Sequence, residues 1–338
     1  MDKKIIITGG AGYIGSHTVV ELVKNGFQPI IVDNFCNAER FILDRLEQIT
    51  GVKPKLYEGD CTDAAFMDTV FKIEKNIAGV IHFAAYKAVG ESVDEPLKYY
   101  KNNVGSLLVL LEVMKKYGAS NLVFSSSCTV YGQPDQLPVT EQSPKKPAES
   151  PYGNTKQICE EVIEDFVKST NNFKAMALRY FNPIGAHSSS LIGELPIGTP
   201  NNLIPFVTQT AAGIREKLTI FGDDYNTKDG TCVRDYIHVV DLAKAHVKAL
   251  QYLSEQSKNS LFEMLNVGTG KGNSVLEVVK TFEKVSEKKL NYEIGAKREG
   301  DVEQVYANVD LVAKKLGWKA ELDLAQALTD AWNWQQTF

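Results

Sequence analysis

The stretch that decides the fold lies near the start of the chain and reads IIITGGAGYIG, from Ile5 to Gly15. A short aliphatic run, spaced glycines and then residues of helical period are typical of a strand, a tight turn and a helix that packs back on the strand. Glycines let the turn close and let backbone N–H groups approach a diphosphate. The stretch predicts a dinucleotide-binding unit whose turn contains Gly9, Gly12 and Gly15.

Alternation of short aliphatic runs with segments of helical period continues to about residue 180. The runs are Ile5–Thr8, Ile30–Asp33, Val80–Phe83, Leu122–Ser126 and Ala175–Tyr180. The segments between them include candidate helices at Gly15–Lys24 and Leu107–Lys116, each followed by a glycine-containing stop. The pattern predicts an α/β fold with a Rossmann-type doubly wound parallel sheet.

The regular alternation ends after Asn182-Pro183, which predicts a second, smaller domain of mixed α/β structure. We expect the first domain to comprise residues 1–182 and roughly 238–262. The second would comprise residues 183–237 and 263–338. Five of the twelve prolines fall between residues 133 and 151, so we expect a long loop there.

Composition excludes several classes of protein. A chain of 338 residues with 43% hydrophobic and 23% charged residues is typical of a globular protein of about two domains. The net charge of -5 gives no basic field for nucleic acid. The five cysteines are far apart and form no C-x-x-C pair, so we expect no disulfide framework, no metal site and a reducing cytoplasm. The sequence also predicts neither a signal peptide nor a membrane span.

An acidic residue follows the second aliphatic run, as a dinucleotide site requires. Asp33 lies eighteen residues beyond Gly15, where its carboxylate can accept hydrogen bonds from the adenosine ribose and repel a 2′-phosphate. This favours NAD over NADP. The alternative is that Asp33 and Asn34 form only a polar turn. Asp60, after a third apolar stretch, could contact the adenine edge or simply be a turn residue.

Residues suited to acid–base chemistry occur at a predicted helix start with the sequence SPYGNTK. Ser150 is a suitable N-cap and Pro151 a suitable first helical residue. The i, i+4 spacing then places Tyr152 and Lys156 on one helix face. Ser127 ends a strand, at the sheet edge where ligands of open α/β folds bind. Together with the glycines, this set predicts hydride transfer at an alcohol carbon with Tyr152 as the base.

The pKa of Tyr152 decides whether it can act as a base. A cation ~6 Å away, at an effective dielectric constant of about 20, favours the phenolate by about 3 kcal/mol, or about 2 pKa units. Lys156 and an oxidised nicotinamide both act in this direction, so we expect the pKa of Tyr152 to be lowered. Taken alone, a Tyr/Lys pair at this spacing is explained equally well by an amphipathic surface turn.

With these motifs the chain resembles the extended short-chain dehydrogenase/reductases, and among them the UDP-galactose 4-epimerases, across essentially its whole length. The matching motifs are residues 8–17, 33–34, 83–92, 99–103, 125–132, 150–156, 179–183, 200–203, 233–238 and 298–301.

The resemblance implies an NAD-dependent isomerase that interconverts UDP-glucose and UDP-galactose through a transient 4-keto sugar. Tyr152 would take the proton of the 4-hydroxyl while hydride from carbon 4 passes to tightly held NAD and later returns to the other face. Ser127 would relay the proton, and Lys156 would lower the tyrosine pKa and hold the nicotinamide ribose. The first domain would bind NAD and the second the UDP-sugar. The family commonly forms homodimers, for which Leu107–Met114 is a candidate helix.

The resemblance also assigns two groups of binding residues. Those at the family's cofactor positions are Tyr13, Ile14, Asp33, Asn34, Asn37, Asp60, Cys61, Phe83, Ala84, Lys87, Asn102, Lys156 and Phe181. Those at its UDP-sugar positions are Ser127, Tyr152, Asn182, Asn202, Leu203, Arg234, Arg298 and Asp301. Arginine suits a diphosphate because its guanidinium presents paired N–H donors, although Arg234 beside Asp235 could instead form a structural ion pair.

Val305, four residues past Asp301, bears on the range of substrates. In this family a bulky tyrosine at that place accompanies restriction to UDP-glucose and UDP-galactose, and a small residue accompanies acceptance of an N-acetyl group. Valine is small, so the resemblance implies activity on UDP-N-acetylglucosamine and UDP-N-acetylgalactosamine as well. The alternative is that Val305 is only a core strand residue.

Other functions fit the sequence less well. A UDP-glucuronate 4-epimerase or decarboxylase needs a cation facing the sugar carboxylate, and no motif places one. Sugar dehydratases of the same superfamily carry an acidic pair after the catalytic threonine, whereas the tract here is Ser127-Cys128-Thr129-Val130. A non-catalytic NAD-sensing protein would typically have lost Tyr152 or Lys156.

Overall fold

The first strand lies at the centre of the fold, and Ile5, Ile6 and Ile7 have no exposed surface. A computed structural model describes residues 3–298 and 302–338 of the chain, so the predicted site residue Asp301 lies outside the described residues. A run of three isoleucines suits this place because a parallel strand is covered by helices on both faces and needs apolar side chains on each.

The described residues form fourteen strands and twelve α-helices. The strands are β1 (Lys4–Thr8), β2 (Gln28–Asp33), β3 (Lys55–Glu58), β4 (Ile77–His82), β5 (Asn121–Ser127), β6 (Lys174–Tyr180), β7 (Asn182–Ile184), β8 (Leu218–Phe221), β9 (Val233–Arg234), β10 (Tyr236–His238), β11 (Leu261–Val267), β12 (Asn273–Ser274), β13 (Tyr292–Gly295) and β14 (Gln304–Val305). The helices are α1 (Tyr13–Lys24), α2 (Ile42–Thr50), α3 (Ala64–Ile73), α4 (Val89–Asp94), α5 (Pro96–Tyr99), α6 (Gly105–Tyr117), α7 (Pro151–Ser169), α8 (Leu203–Ala211), α9 (Val239–Glu255), α10 (Val275–Ser286), α11 (Asp310–Leu316) and α12 (Leu324–Gln335). A π-helical turn covers Tyr100–Val104, and a 3₁₀ turn covers Cys128–Tyr131.

Seven of these strands form one parallel sheet in the order β11-β6-β5-β4-β1-β2-β3. The chain moves outward from β1 to β3 on one side and then from β4 to β11 on the other. The strand order therefore reverses between β1 and β4, and ligands of such sheets bind at that point. The predicted doubly wound parallel sheet is confirmed.

Helices cover both faces of the sheet over separate apolar cores. On one face α1 packs against α9, and α11 packs against α9 and β11. On the other face α3 packs against α6, and α7 lies over β5 and β6. The predicted elements are confirmed with small changes at their ends: α1 begins at Tyr13 rather than Gly15, and β4 ends before Phe83.

A third apolar core joins α8, α10 and α12 and lies in the second half of the chain. The range expected for the second domain also contains pieces of the first core. Strand β11 stays in the seven-stranded sheet as far as Val267, and Val312 and Leu316 of α11 pack on the same face. That the first domain binds NAD and the second binds the UDP-sugar stays a prediction.

The proline-rich segment is a long loop, as predicted. From Gly132 to Ser150 the chain forms no helix or strand, but it is anchored to the second half. The backbone N–H of Val139 donates to the carbonyl of Tyr306 at 3.0 Å, and the carbonyl of Val139 accepts from the backbone N–H of Asn308 at 2.7 Å. Among the described residues no helix is long and apolar enough to span a membrane, and no group of acidic, cysteine or histidine side chains is arranged to hold a metal ion.

Glu74, directly after α3, connects β1 with the edge strand β3. Its side chain is buried and accepts from Lys4 Nζ at 3.0 Å, Tyr57 Oη at 2.7 Å and Lys55 Nζ. Burial by itself raises the pKa of Glu74, but the three donors outweigh it and lower the pKa from 4.5 to about 2. We expect Glu74→Gln to reduce the free energy of unfolding by about 1–3 kcal/mol at pH 7, measured by urea denaturation.

A carboxyl group whose pKa is lower in the folded than in the unfolded protein stabilises the fold when the pH lies above its unfolded-state pKa. This stabilisation is lost as the pH falls toward its folded-state pKa. The difference between Glu74→Gln and the unaltered protein should therefore shrink from about pH 4.5 to about pH 2. Glu58→Gln is the matched control, because Glu58 and its partner Arg40 are exposed, and we expect little change. Equal effects of the two substitutions would contradict the account.

Candidate active site

Two glycines where β1 meets α1, Gly9 and Gly15, have no room for a side chain. Gly9 has φ +71°, and a Cβ atom there would lie 2.9 Å from the backbone nitrogen of Ala84. A Cβ on Gly15 would lie 2.2 Å from the carbonyl oxygen of Gly9. Gly12 is the N-cap of α1. Because free N–H groups at a helix N-terminus attract anions, this turn suits a diphosphate.

Asp33 lies next to this turn, at the carboxyl end of β2. Its carboxylate is 8% exposed and accepts from the backbone N–H of Ala11 at 3.0 Å and of Phe35 at 2.9 Å. Burial raises the pKa of Asp33, and the backbone donors oppose that rise. Each oxygen keeps a second lone pair that can accept from a sugar hydroxyl. Asp60 faces it and accepts from Asn34 Nδ2 at 3.3 Å.

These groups line one cavity of about 450 Å³, at the point where the strand order reverses. Most of the predicted cofactor residues lie on its wall, and they are Gly9, Gly12, Tyr13, Ile14, Gly15, Asp33, Asn34, Asn37, Asp60, Cys61, Phe83, Ala84, Lys87, Asn102 and Lys156. The predicted substrate residues Tyr152 and Asn202 also line it. Phe181 is buried beside Val305 in a small apolar cluster and is not on the wall as described.

The predicted acid–base residues come together at the end of β5. Ser150 caps α7 by accepting from the N–H of Gly153 at 3.2 Å, as predicted. Tyr152 is 8% exposed and hydrogen-bonded to Ser127. Lys156 is 3% exposed, with Nζ 5.9 Å from the centroid of the Tyr152 ring. Its ammonium donates to the carbonyl of Ser125 at 2.7 Å.

The expected direction of the Tyr152 pKa shift is wrong for the chain by itself. Burial raises the pKa of Tyr152 well above 10, an effect that the Ser127 hydrogen bond opposes without reversing. Burial also lowers the pKa of Lys156 to about 8. A desolvated phenol resists ionisation, and the Lys156 charge is directed at the Ser125 carbonyl rather than at the phenol oxygen.

A carboxylate that the sequence analysis missed connects the two groups of predicted binding residues. Glu194 Oε1 accepts from Lys87 Nζ at 3.0 Å and from Asn202 Nδ2 at 2.6 Å. Its backbone carbonyl accepts from Trp334 Nε1 of α12 at 3.0 Å. Helix α12, which contributes to the third core, thus contacts the part of the cavity wall that contains Glu194. No motif marked Glu194, because its partners are 107 and 8 residues away in the sequence.

Arg234 lies beside the acid–base end of the cavity rather than on its wall. Strand β9 pairs with β14, so that Arg234 is opposite Val305, and its positive charge acts on the Cys128 thiol next to Ser127. Its guanidinium donates to the carbonyl of Val233 at 2.9 Å. The carboxylate of Asp235 instead accepts from Thr269, Gly270 and Ala307.

The other predicted substrate positions are spread along the second half of the chain. Asn182 begins β7, and its N–H donates to the carbonyl of Asp235 at 2.9 Å. Leu203 begins α8, directly after Asn202. The exposed Arg298 lies with its guanidinium carbon 5.5 Å from the centroid of the Phe221 ring. The described residues do not bring Arg298 onto the cavity wall.

Two further residues that the sequence analysis did not assign lie beside Lys156. Ser125 Oγ and Tyr180 Oη are 2.7 Å apart, and both residues line the cavity. Burial raises the pKa of Tyr180 to about 12, so its hydroxyl keeps its proton. The position of both at the carboxyl ends of β5 and β6 was the available signal.

Comparison with known proteins agrees with this geometry. The family model described as GDP-mannose 4,6 dehydratase matches residues 6–331. The UDP-glucose 4-epimerase of Haemophilus influenzae is 50% identical over 332 residues, which cover 98% of this chain and 97% of that protein. The chain belongs to the UDP-glucose 4-epimerase family. The resemblance seen in the sequence is thus confirmed.

Solved structures of the family share the fold. The UDP-glucose 4-epimerase of Bifidobacterium longum in complex with NAD+ and UDP has a TM-score of 0.95 and 47% identity, covering 99% of this chain and 98% of that one. The UDP-Glc/GlcNAc 4-epimerase of Campylobacter jejuni has a TM-score of 0.85 and 37% identity, covering 99% of this chain and 100% of that one.

The turn at Gly15 provides a direct test of the dinucleotide site. A methyl group there collides with the Gly9 carbonyl, so Gly15→Ala must open the turn. We expect the fraction of purified chains that carry a dinucleotide, measured by chromatography after denaturation, to fall at least tenfold. Gly105→Ala is the control, because no atom lies within 4 Å of the added carbon and alanine favours a helix. Full dinucleotide content in Gly15→Ala would refute the assignment.

Proposed function

We propose that this protein interconverts UDP-glucose and UDP-galactose by using NAD that stays bound through the reaction. The observation that carries the proposal is the convergence of Tyr152, Ser127 and Lys156 at the end of β5, beside a glycine turn where a Cβ on Gly9 or Gly15 would collide with the backbone. Membership in the UDP-glucose 4-epimerase family supports the reaction type.

The residues present fit NAD. The side-chain-free turn at Gly9, Gly12 and Gly15 would hold the dinucleotide diphosphate, and Asp33 would accept from the adenosine ribose. The negative charge of Asp33 would disfavour the 2′-phosphate of NADP. Lys156 would hold the nicotinamide ribose. When bound, NAD supplies a reversible two-electron acceptor for carbon 4 of the sugar.

The chain's own residues would handle the proton. Tyr152 Oη would take the proton of the sugar 4-hydroxyl, with Ser127 as the hydrogen-bonded relay. The raised pKa of Tyr152 means that nearby positive charge must stabilise the phenolate during reaction. Lys156 provides one such charge, and a cationic nicotinamide adds a second. The proton returns to the same oxygen after the 4-keto sugar has turned over, so the net reaction is redox-neutral.

The second half of the chain would bind the UDP part. The positive charge of Arg234 acts on the Cys128 thiol, next to Ser127, and its guanidinium is suited to a diphosphate. Asn182, Asn202, Leu203, Arg298 and Asp301 are proposed to complete this site. The chain has a net charge of -5, so binding of an anionic substrate must depend on these placed groups.

Loss of the Tyr152 hydroxyl tests the mechanism. We expect purified protein to convert UDP-galactose to UDP-glucose without added NAD. We expect Tyr152→Phe to reduce kcat by about 10²–10⁴-fold, because a positioned general base contributes about that factor. Tyr117→Phe is the control, since that hydroxyl bonds to Asp68 at 3.1 Å, away from the cavity. Near-normal turnover in Tyr152→Phe would refute the mechanism.

We further propose activity on the N-acetylated UDP-hexoses. Val305 is buried beside Phe181 and opposite Arg234, and its size is proposed to limit the room for a substituent on the sugar. A related structure is named as a UDP-Glc/GlcNAc 4-epimerase.

Val305→Tyr tests this substrate range. A tyrosine there adds bulk toward the sugar, so we expect the ratio of kcat/KM for UDP-N-acetylglucosamine to that for UDP-glucose to fall at least tenfold. Product analysis on both substrates measures the ratio, and Val305→Ile, which keeps a small aliphatic side chain, is the control. Absent N-acetyl activity in the unaltered protein, or an unchanged ratio in Val305→Tyr, would contradict the proposal.

A cytoplasmic homodimer is also proposed. The five cysteines are unpaired, which suits a reducing compartment. Leu108 of α6 is 46% exposed and lines a groove between α6 and α7, together with the apolar Leu111, Val162 and Phe166 and the polar Glu112, Asp165 and Ser169. An apolar floor with a polar margin is suited to packing against its copy.

A further inference from the structure

A buried ion pair lies directly beneath the acid–base residues. Glu160 of α7 is 1% exposed and Arg179 of β6 is 1% exposed. Arg179 Nε donates to Glu160 Oε1 at 2.8 Å, and Nη2 donates to Oε2 at 2.7 Å. This two-point contact fixes both the distance and the orientation of the helix relative to the strand.

The pair is connected to the strand that carries Ser127. Ser126 Oγ donates to Glu160 Oε1 at 2.7 Å. The preceding residue accepts from Lys156, one turn before Glu160, through its carbonyl. Two consecutive residues of β5 are therefore bonded to two consecutive turns of α7. Ser127 is the next residue, so its position relative to Tyr152 is set by this double connection.

The other side of the pair reaches the long loop and β11. Arg179 Nη1 donates to Tyr131 Oη at 3.0 Å, and that hydroxyl donates to Asn266 Oδ1 at 2.6 Å. Lys145 of the loop contacts Glu160 Oε2 at 2.9 Å. Burial alone would raise the pKa of Glu160, but Arg179 and Lys145 outweigh it and hold the pKa below its ordinary value. Glu160 is therefore ionised.

Stability alone is a weak reason to bury such a pair, because apolar residues of the same size often stabilise a core as well. We propose that Glu160 and Arg179 are positioning residues: their ion pair, with Ser126 and Tyr131, fixes the end of β5 against α7 at the spacing where Ser127, Tyr152 and Lys156 meet. The inference rests on the proposed function.

Electrostatics gives the pair a measurable effect on Lys156. Burial lowers the pKa of Lys156 to about 8, while Cys159 and then Glu160 act to raise it. His82 of β4 and Tyr152 also lie near the ammonium. Burial holds the pKa of His82 at about 3, so this ring is neutral across the working range. Of these neighbours, Glu160 is the one that supplies negative charge at neutral pH.

The test compares Glu160→Gln with the unaltered protein. We expect kcat for UDP-galactose to fall at least tenfold while KM and the NAD content stay within about twofold, because substrate-binding groups are untouched. The alkaline limb of kcat, where Lys156 loses its proton, should move to lower pH by about half a unit or more, since the removed carboxylate favours the charged ammonium. A merely structural role would not move this limb.

A double variant and a control variant show whether the loss of activity comes from the missing ion pair. Glu160→Gln leaves the Arg179 charge buried without its partner, so the double variant Glu160→Gln with Arg179→Met removes both charges and retains the volume. We expect it to fold and to show the same loss of kcat, with a smaller shift of the alkaline limb because the positive charge of Arg179 is removed together with the negative charge of Glu160. Glu74→Gln is the control: it breaks a buried carboxylate cluster at the far edge of the sheet and should lower stability without moving the pH profile.

The outcomes separate this inference from the proposed function. An active unaltered protein, with kcat unchanged in the double variant, would overturn the positioning role alone. An unaltered protein that carries NAD but converts no UDP-hexose would overturn the proposed function and this inference with it.

Discussion

The hydrogen bond between the buried ammonium of Lys156 and the carbonyl of Ser125 is the constraint on which the site depends. Lys156 is 3% exposed, so its ammonium needs a close acceptor, and the Ser125 carbonyl in β5 lies 2.7 Å away. Satisfying it brings the first turns of α7 onto the carboxyl edge of the sheet. Tyr152, one turn earlier on that helix, is thereby placed beside Ser127.

A second constraint concerns the binding of the anionic diphosphates that are expected in the cavity. The chain is acidic overall, so its cavity must attract diphosphates through local features. The β1–α1 turn excludes side chains at Gly9 and Gly15, so that a diphosphate can approach the backbone at the N-terminus of α1. Glu194, by contrast, is a carboxylate on the wall, and its contacts with Lys87 and Asn202 join the two sides of the cavity. The β1–α1 turn thus provides the groups that attract an anion, whereas Glu194 provides the contacts that connect the two sides of the cavity.

The sequence predicted what depends on neighbours along the chain. The β1–α1 turn, the Ser150 cap and the i, i+4 placement of Tyr152 and Lys156 follow from local patterns, and the structure has them. Periodicity also predicted the parallel sheet, because buried strands and amphipathic helices leave distinct patterns. The role of β11 in the main sheet was missed, since the irregular stretch between β7 and α9 interrupts the alternation before this strand is reached.

What the sequence did not predict depends on contacts between distant residues. The ion pair of Glu160 and Arg179 joins a helix to a strand across the core, and no spacing rule connects them. The predicted direction of the Tyr152 pKa shift was wrong because it rested on the charge of Lys156, whereas burial of the phenol raises the pKa. Desolvation is a property of the packed core, so it cannot be evaluated from the order of residues.

The central claim is that one pocket removes and returns the hydrogen at carbon 4 of a UDP-hexose without releasing it. The most direct measurement is to incubate the purified protein with UDP-glucose that carries deuterium at carbon 4 and to analyse the UDP-galactose formed. The account predicts that the product retains the deuterium at carbon 4, because the two-electron transfer occurs in both directions within the closed site. Replacement of that deuterium by hydrogen from the solvent would contradict it.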